Sequence, residues 1–178
     1  MRAFTRARDD FSVDELWLLE HSPVYTVGQG AVIPPLANAI PVVKSDRGGD
    51  ITYHGPGQVV LYTLVDLARR SIKVKRFVWV LEQAVIDLVG HRAKRRPGAP
   101  GVYVDGAKIA ALGIRVVRGR AYHGLALNVD MDLSPFLAID PCGYPGLRVT
   151  QMRDLGFTDT PQALAERLSR ILVETLHA

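Results

Sequence analysis

A series of short apolar runs separated by turn signals is the feature of this sequence that most constrains its fold. Asp105-Gly106 and Arg118-Gly119-Arg120 have the composition of tight turns between neighbouring strands. The run Leu16–Leu19 is too short to distinguish helix from strand. The runs that we interpret as β-strands are Val24–Val27, Pro41–Val43, Ile51–Tyr53, Val59–Val65, Val102–Val104, Ile109–Val117 and Tyr122–Val129.

Two segments have apolar residues at helical spacing. The first is Val74–Val89, which ends at the natural stop Gly90. The second runs from Pro161 to about Leu176 behind a capping Thr160. Strand runs followed by helices predict an α+β domain with a mixed sheet, and not a regular βαβ series. The apolar positions on these two helices are Phe77, Val80, Leu81, Ala84, Val85 and Leu88, and then Leu164, Leu168, Ile171 and Leu172.

Length and composition indicate that residues 1–178 form one domain, which we expect to be cytoplasmic. A chain of 178 residues with 48% hydrophobic and 22% charged residues buries enough surface to fold without a disulfide. Its single cysteine excludes an internal disulfide. We expect no membrane interaction and no export signal, because no apolar run has the length of a membrane span and the first residues lack an apolar core. The net charge of +4 permits an acidic partner and does not indicate nucleic acid.

The most unusual segment is the glycine-rich stretch 47–58, RGGDITYHGPGQ, between two strand-like runs. Glycine lets a backbone approach a ligand closely, and Arg47, Tyr53 and His54 add polar groups there. The alternative is a turn-rich connection whose glycines only serve left-handed backbone positions. The residues alone favour that alternative slightly.

Lys108 stands at the start of a strand that is rich in small residues. Such a lysine is either an exposed charge at a hairpin end or a buried functional amine. Ala110, Ala111 and Gly113 leave room for a slender apolar ligand, or they pack against a helix.

Cys142 lies in the loop Asp140–Gly146, DPCGYPG, and not in an apolar run. Structural cysteines are usually buried among apolar neighbours, so this placement suits a nucleophile. A lysine ammonium about 4 Å from a thiol contributes ~4 kcal/mol of attraction and lowers the thiol pKa. The neutral lysine can then accept a proton from an attacking amine. Nothing in the sequence itself brings Lys108 and Cys142 together.

Other motifs carry less information. Gly101 to Lys108 fails as a phosphate-binding loop, because it has one residue too many before the lysine and no following Ser or Thr. The five histidines lack metal-site spacing, while His54 and His123 either line a pocket or hold loops. The basic run His91–Arg96 is a solvated loop or, less favoured, a surface for an acidic carrier protein.

Four segments in this order resemble the lipoyl(octanoyl) transferase family: 47–58, 101–116 (GVYVDGAKIAALGIRV), 123–136 (HGLALNVDMDLSPF) and 140–146. The resemblance implies the fold of the biotin and lipoate protein ligase catalytic domain, without the strand that family members usually carry first. It implies that Cys142 holds the acyl thioester and that Lys108 assists it. The residues it assigns to substrate contact are Arg47, Gly48, Gly49, Asp50, Ile51, Thr52, Tyr53, His54, Ala111, Leu112, Gly113, Gly124, Leu125 and Ala126.

The reaction that the resemblance implies is octanoyl transfer, the first step of protein lipoylation. Octanoyl would pass from the phosphopantetheine of acyl carrier protein through Cys142 to a lysine of a lipoyl domain. The acceptors would be 2-oxoacid dehydrogenases and the glycine cleavage H protein, and neither cofactor nor metal is expected. The alternatives are an ATP-dependent lipoate or biotin protein ligase of the same fold, and a carrier-protein binding module without catalysis.

Overall fold

The computed structural model describes residues 1–29, 31–36, 38–140 and 146–177. Short 3-10 helical segments cover Ser134–Ala138 and Arg153–Leu155. The helices and strands are, in chain order, α1 (Arg2–Ala7), β1 (Glu15–Leu19), β2 (Val24–Val27), β3 (Val42–Lys44), β4 (Ile51–His54), β5 (Gln58–Leu64), α2 (Val74–Val89), β6 (Ala93–Arg95), β7 (Val102–Val104), β8 (Ala107–Val117), β9 (Arg120–Asn128) and α3 (Pro161–His177).

The strands form a large sheet and a small sheet. The large sheet has the order β1-β5-β9-β8-β7-β6, and its neighbours are antiparallel. The small sheet has the order β3-β2-β4, with β2 parallel to β3 and antiparallel to β4. The predicted α+β fold with mixed strand directions is confirmed.

The main core lies where α2 and α3 pack together against the large sheet. The predicted apolar face of α2 is buried, and the Gly90 N–H ends the helix by donating to the Ile86 carbonyl. Thr160 caps α3, because its hydroxyl accepts the Ala163 N–H at 3.2 Å. None of the helices in the described ranges combines the length and apolar character that a bilayer crossing requires.

Both predicted hairpin turns are confirmed. Asp105 and Gly106 have φ angles of 49° and 81°, and Arg118 and Gly119 have φ angles of 50° and 77°. Two consecutive positive φ angles match the twist of the flanking strands in a two-residue hairpin. The first of these turns places Lys108 near the beginning of β8.

Two segments differ from what the sequence alone indicated. The ambiguous run Leu16–Leu19 belongs to β1, which pairs with β5. The loop prediction for His91–Arg96 is wrong for Ala93–Arg95, which form the edge strand β6 beside β7. Ala93 is buried while Lys94 stays exposed, so an edge strand accommodates the charges that suggested a loop.

Candidate active site

A cavity of about 500 Å³ lies between the two sheets. That volume is within the range of small-molecule binding sites. Its lining combines apolar side chains, polar side chains and glycine backbone. The residues that line it are Met1, Arg2, His21, Val24, Thr26, Val43, Lys44, Ser45, Arg47, Gly49, Asp50, Thr52, His54, Val60, Tyr62, Ala111, Leu112, Gly113, His123, Gly124, Leu125 and Ala126.

The three segments assigned to substrate contact meet at this cavity. Ala111–Gly113 on β8 and Gly124–Ala126 on β9 line it throughout. In the segment 47–54 the strand alternation of β4 divides the residues between two faces. Asp50, Thr52 and His54 line the cavity, whereas Ile51 and Tyr53 are buried in a separate apolar cluster.

Glycine backbone forms one narrow side of the cavity. The Gly48 N–H donates to the Ile114 carbonyl at 2.9 Å, which joins the glycine-rich loop to β8. A Cβ on Gly113 would lie 2.9 Å from the Gly48 carbonyl oxygen, and a Cβ on Gly28 would lie 1.9 Å from that of Gly49. These positions therefore exclude any side chain, because main-chain segments are in direct contact there.

Arg47 holds the loop to β2. Its Nη2 donates to the Thr26 carbonyl at 2.6 Å and to the Thr26 hydroxyl at 2.9 Å, while Nη1 donates to the Gly48 carbonyl at 3.0 Å. Because Thr26 Oγ1 accepts from the guanidinium, its own proton is available to His54 Nε2, 3.2 Å away. Arg47 thus lines the cavity itself and also holds Thr26, which lines it as well.

A chain of buried side-chain hydrogen bonds begins at His54. His54 Nδ1 lies 2.7 Å from Gln58 Oε1, and Gln58 Nε2 donates to Asn128 Oδ1 at 2.9 Å. Asn128 Nδ2 donates to the Thr150 carbonyl at 3.0 Å, which fixes the direction of the whole chain. His54 is therefore the neutral tautomer with its proton on Nδ1. Burial lowers the pKa of His54 to about 4, despite the opposing hydrogen bond to Gln58.

Lys108 is buried, with 3% of its surface exposed. Its Nζ donates to the Pro100 carbonyl at 3.3 Å and lies 5.2 Å from the centroid of the Tyr103 ring. Of the two alternatives for this lysine, the structure thus supports the buried amine. Lys108 does not belong to the described lining of the cavity.

Cys142 falls within 141–145, outside the described residues. The chain that follows this segment is described, and it returns to Lys108. The Lys108 N–H donates to the Arg148 carbonyl at 2.8 Å, and the Thr150 N–H donates to the Lys108 carbonyl at 3.0 Å. A short parallel bridge between Lys108 and Val149 therefore joins the start of β8 to the chain after the cysteine segment.

Glu82 supports the Lys108 region from α2, and sequence reasoning missed it. Its buried carboxylate accepts the Gly101 N–H at 3.0 Å and pairs with Arg95 at 3.1 Å. Gly101 has a φ of +137°, and a Cβ there would lie 3.0 Å from Lys108 Cε. No local signal distinguished Glu82, because α2 also carries the charged residues Lys75, Arg76 and Asp87.

Asp46 is a second residue that sequence reasoning missed. Its carboxylate accepts hydrogen bonds from Tyr122 at 2.5 Å and from His123 Nε2 at 2.8 Å. Its partial burial alone would raise the pKa, but these hydrogen bonds and the charges of His123 and Arg2 lower it to about 2. Burial also lowers the pKa of His123, against the opposing effect of Asp46. His123 therefore both lines the cavity and holds a loop.

In the part of the chain that the structure describes, no group of three His, Cys, Asp or Glu side chains is arranged to hold a metal ion. The polar groups of the site in those residues are amine, imidazole, guanidinium, hydroxyl, carboxylate, carboxamide and backbone groups.

Comparison with known proteins assigns the fold. The crystal structure of a lipoate-protein ligase A bound with ATP superposes with a TM-score of 0.79 at 17% identity, covering 99% of this chain and 78% of that chain. Biotin protein ligase from Aquifex aeolicus gives a TM-score of 0.53 at 14% identity, covering 68% of this chain and 53% of that chain. At these identities the likeness concerns the fold.

Sequence relatives are far more similar. An octanoyltransferase from Thiobacillus denitrificans is 60% identical over 181 residues, covering 97% of this chain and 83% of the relative. An octanoyltransferase from Aromatoleum aromaticum is 58% identical over 181 residues, covering 99% of this chain and 78% of the relative. The family model described as the lipoyl protein ligase A/B catalytic domain matches residues 1–172. The chain therefore belongs to the lipoyl protein ligase A/B catalytic domain family.

Proposed function

We propose that this chain is an octanoyltransferase that carries octanoyl on Cys142 and delivers it to a lysine of a lipoyl domain. The observation that carries the proposal is the near full-length identity of 58–60% to relatives named octanoyltransferase. The buried Lys108 and the cavity lined by the three contact segments support it.

In the first step, Lys108 takes the proton of the Cys142 thiol, and the thiolate attacks the carbonyl carbon of the donor thioester. The bond from that carbon to the donor sulfur breaks, and the departing thiolate receives the proton back from Lys108. In the second step, the neutral acceptor amine attacks the Cys142 thioester and passes a proton to Lys108. An amide forms as the bond from the carbonyl carbon to the Cys142 sulfur breaks, and the departing thiolate takes the proton from Lys108. The change from thioester to amide requires no ATP.

The groups around the Lys108 amine suit it to accept and return a proton. The Pro100 carbonyl and the face of the Tyr103 ring stabilise the ammonium form while the proton resides there. The bridge from β8 to the chain after the cysteine segment supports a short distance between the amine and the thiol. General acid–base assistance of this kind contributes roughly 10²- to 10⁴-fold in rate.

The space beside the glycine backbone of Gly48, Gly49 and Gly113, which we call the acyl slot, would hold the octanoyl tail. Six methylenes and a methyl gain about 5 kcal/mol from burial at ~0.8 kcal/mol per group. Apolar side chains are present around the cavity to receive them, namely those of Val24, Val43, Val60, Leu112 and Leu125.

The proposed donor is octanoyl on the phosphopantetheine of an acyl carrier protein, which has an acidic surface and a phosphodiester. A basic surface, defined as Lys73, Lys75, Arg76, Lys94, Arg95 and Arg96, supports this choice. The segment 73–96 has seven Lys or Arg and two Asp or Glu residues, a formal charge of +5, whereas the whole chain carries +4.

The basic surface adjoins Lys108. Arg76 and Arg95 lie on the Trp79 ring, with guanidinium carbons 4.1 and 4.5 Å from its centroid. Arg96 lies 6.0 Å from the centroid of the Tyr103 ring, the same ring that Lys108 approaches. A carrier bound here would present its thioester near the proposed catalytic amine.

Mass spectrometry after mixing the protein with octanoyl-carrier protein tests the transfer. We expect one octanoyl adduct that Cys142→Ala abolishes and that a lipoyl domain removes. Strict dependence on ATP with free octanoate would instead establish a ligase. Absence of any adduct would indicate that the chain binds the carrier protein without catalysing transfer.

Charge reversal tests the donor. We expect Lys75→Glu with Lys94→Glu to raise KM for octanoyl-carrier protein about tenfold and to leave KM for octanoyl-pantetheine unchanged. Arg118→Glu is the control, because Arg118 follows the far end of β8, about 33 Å from Lys108 along the strand. Equal effects on both donors would refute docking at this surface.

A further inference from the structure

His123 has a left-handed backbone conformation inside β9. Its φ is +62°, a value that is uncommon for residues other than glycine and that differs from the extended backbone of a strand. The pairing of β5 with β9 stops at Tyr62–Gly124 and resumes in the same register at Asp66–Arg120. The distortion is therefore local, and no residue has been inserted into the strand.

The distortion lets two successive side chains reach one carboxylate. Side chains at neighbouring strand positions ordinarily point to opposite faces of the sheet. Here the Tyr122 hydroxyl binds Asp46 Oδ2 and His123 Nε2 binds Asp46 Oδ1, with the two rings stacked at a centroid distance of 5.0 Å. Since an ionised carboxylate only accepts hydrogen bonds, His123 Nε2 carries the proton.

Asp46 stands directly before the loop that forms the narrow side of the acyl slot. The next residue, Arg47, binds Thr26, and Gly48 binds the Ile114 carbonyl. A shift of Asp46 would therefore move both the guanidinium and the glycine backbone. His123 itself lines the cavity, so the strained residue and the loop that it holds face the same space.

We propose that Asp46, Tyr122 and His123 are positioning residues that clamp the loop 46–49 and thereby set the fit of the acyl slot to an eight-carbon chain. This inference rests on the proposed function, since it takes the ligand of the slot to be the octanoyl chain. Backbone strain of this kind persists where the surroundings enforce it, and it is concentrated at ligand-binding positions.

The test is the ratio of kcat/KM for octanoyl-pantetheine to that for butanoyl-pantetheine. We expect His123→Leu and Asp46→Asn to lower this ratio about tenfold, because the loose loop no longer favours the longer chain. His123→Gln should keep most of the preference, since its amide nitrogen lies near the position of imidazole Nε2 and donates to Asp46.

Asp14→Asn provides a matched control. Asp14 also binds several groups, Arg8, Arg69 and Arg70, but it does not line the cavity. We expect it to lower Tm and to leave the ratio unchanged. An unchanged ratio in His123→Leu, or an equal loss in Asp14→Asn, overturns the clamp. A wild-type protein that forms no octanoyl adduct would instead overturn the proposed function.

Discussion

Asn128 is connected to Lys108 through a single residue, Thr150. The Asn128 amide donates to the Thr150 carbonyl, and the Thr150 N–H donates to the Lys108 carbonyl, both at 3.0 Å. On its other side Asn128 accepts from Gln58, which binds His54 in the cavity. The cavity wall and the backbone of the proposed catalytic lysine therefore belong to one hydrogen-bond network.

Replacing Asn128 with leucine should slow octanoyl transfer without a direct change to any reacting group. The Thr150 carbonyl loses its side-chain donor and Gln58 loses an acceptor, which costs about 1–3 kcal/mol of stability. Displacement of the chain beside Lys108 should lower kcat roughly tenfold to a hundredfold. Steady-state kinetics and thermal unfolding measure both effects. Gln162→Ala, which removes an exposed amide contact with Glu166, should change neither.

Lys108→Met should abolish turnover and preserve the fold. The variant keeps the length of the side chain but has no amine, so we expect a loss of roughly 10²- to 10⁴-fold. Lys108→Arg separates the two roles of the amine. A guanidinium keeps the positive charge that lowers the thiol pKa, so water can take the thiol proton in the first step, but it cannot act as the base for the acceptor amine in the second. Rapid-quench mass spectrometry should show thioester formation in Lys108→Arg with little transfer to the acceptor. Normal rates in Lys108→Met would disprove the assigned role.

The stability of the protein should fall between pH 6.5 and about pH 4 because of His54. Its pKa is about 4 in the folded chain, below the ordinary 6.5 of the unfolded chain, so in this window the unfolded chain binds the proton more readily. The full contribution is about 3 kcal/mol, present above pH 6.5 and lost as the pH falls through 4.

Urea unfolding of the wild type and His54→Asn at pH 7 and pH 4.5 checks this value. Asparagine places a donor near the position of Nδ1, so the contact with Gln58 is kept while the titrating group is removed. The variant should lose less stability on acidification than the wild type. Equal losses in the two proteins would show that other groups are responsible.

Gly101→Ala should be much more damaging than Gly98→Ala. Both glycines have positive φ angles, +137° and +76°, so both substitutions strain the backbone. A Cβ at Gly101 would additionally lie 2.8 Å from the Ala110 carbonyl oxygen, whereas no heavy atom lies within 4 Å of one at Gly98. We expect Gly101→Ala to displace Lys108 and reduce kcat at least tenfold. Similar kcat values in the two variants would contradict this account.

Local patterns in the sequence were sufficient for most of the secondary structure. The helix Val74–Val89 was predicted to the residue because its apolar spacing ends at Gly90. The strand Ala93–Arg95 was missed because its only apolar residue is Ala93, and its pairing with β7 depends on tertiary structure. Burial of Lys108 was one of two open alternatives, since nothing nearby in the sequence reveals the ring of Tyr103 against it.

The side-chain hydrogen bonds that hold the site in place could not be predicted from the sequence. Asp46 meets Tyr122 and His123 across more than seventy residues, and Gln58 meets Asn128 across seventy. Such pairs carry no periodicity or motif of their own. The left-handed conformation of His123 likewise has no sequence signal, because it results from contacts that the folded chain imposes.

The contact between the Gly48 carbonyl and Gly113 has a consequence for engineering. Because main chain faces main chain there, no side chain at Gly48 or Gly113 sets the separation of the two segments, and a Cβ added to Gly113 would push them apart. Under the proposed function, acceptance of shorter or longer acyl chains is therefore open to redesign at aliphatic lining residues such as Val24, Val60 and Leu125.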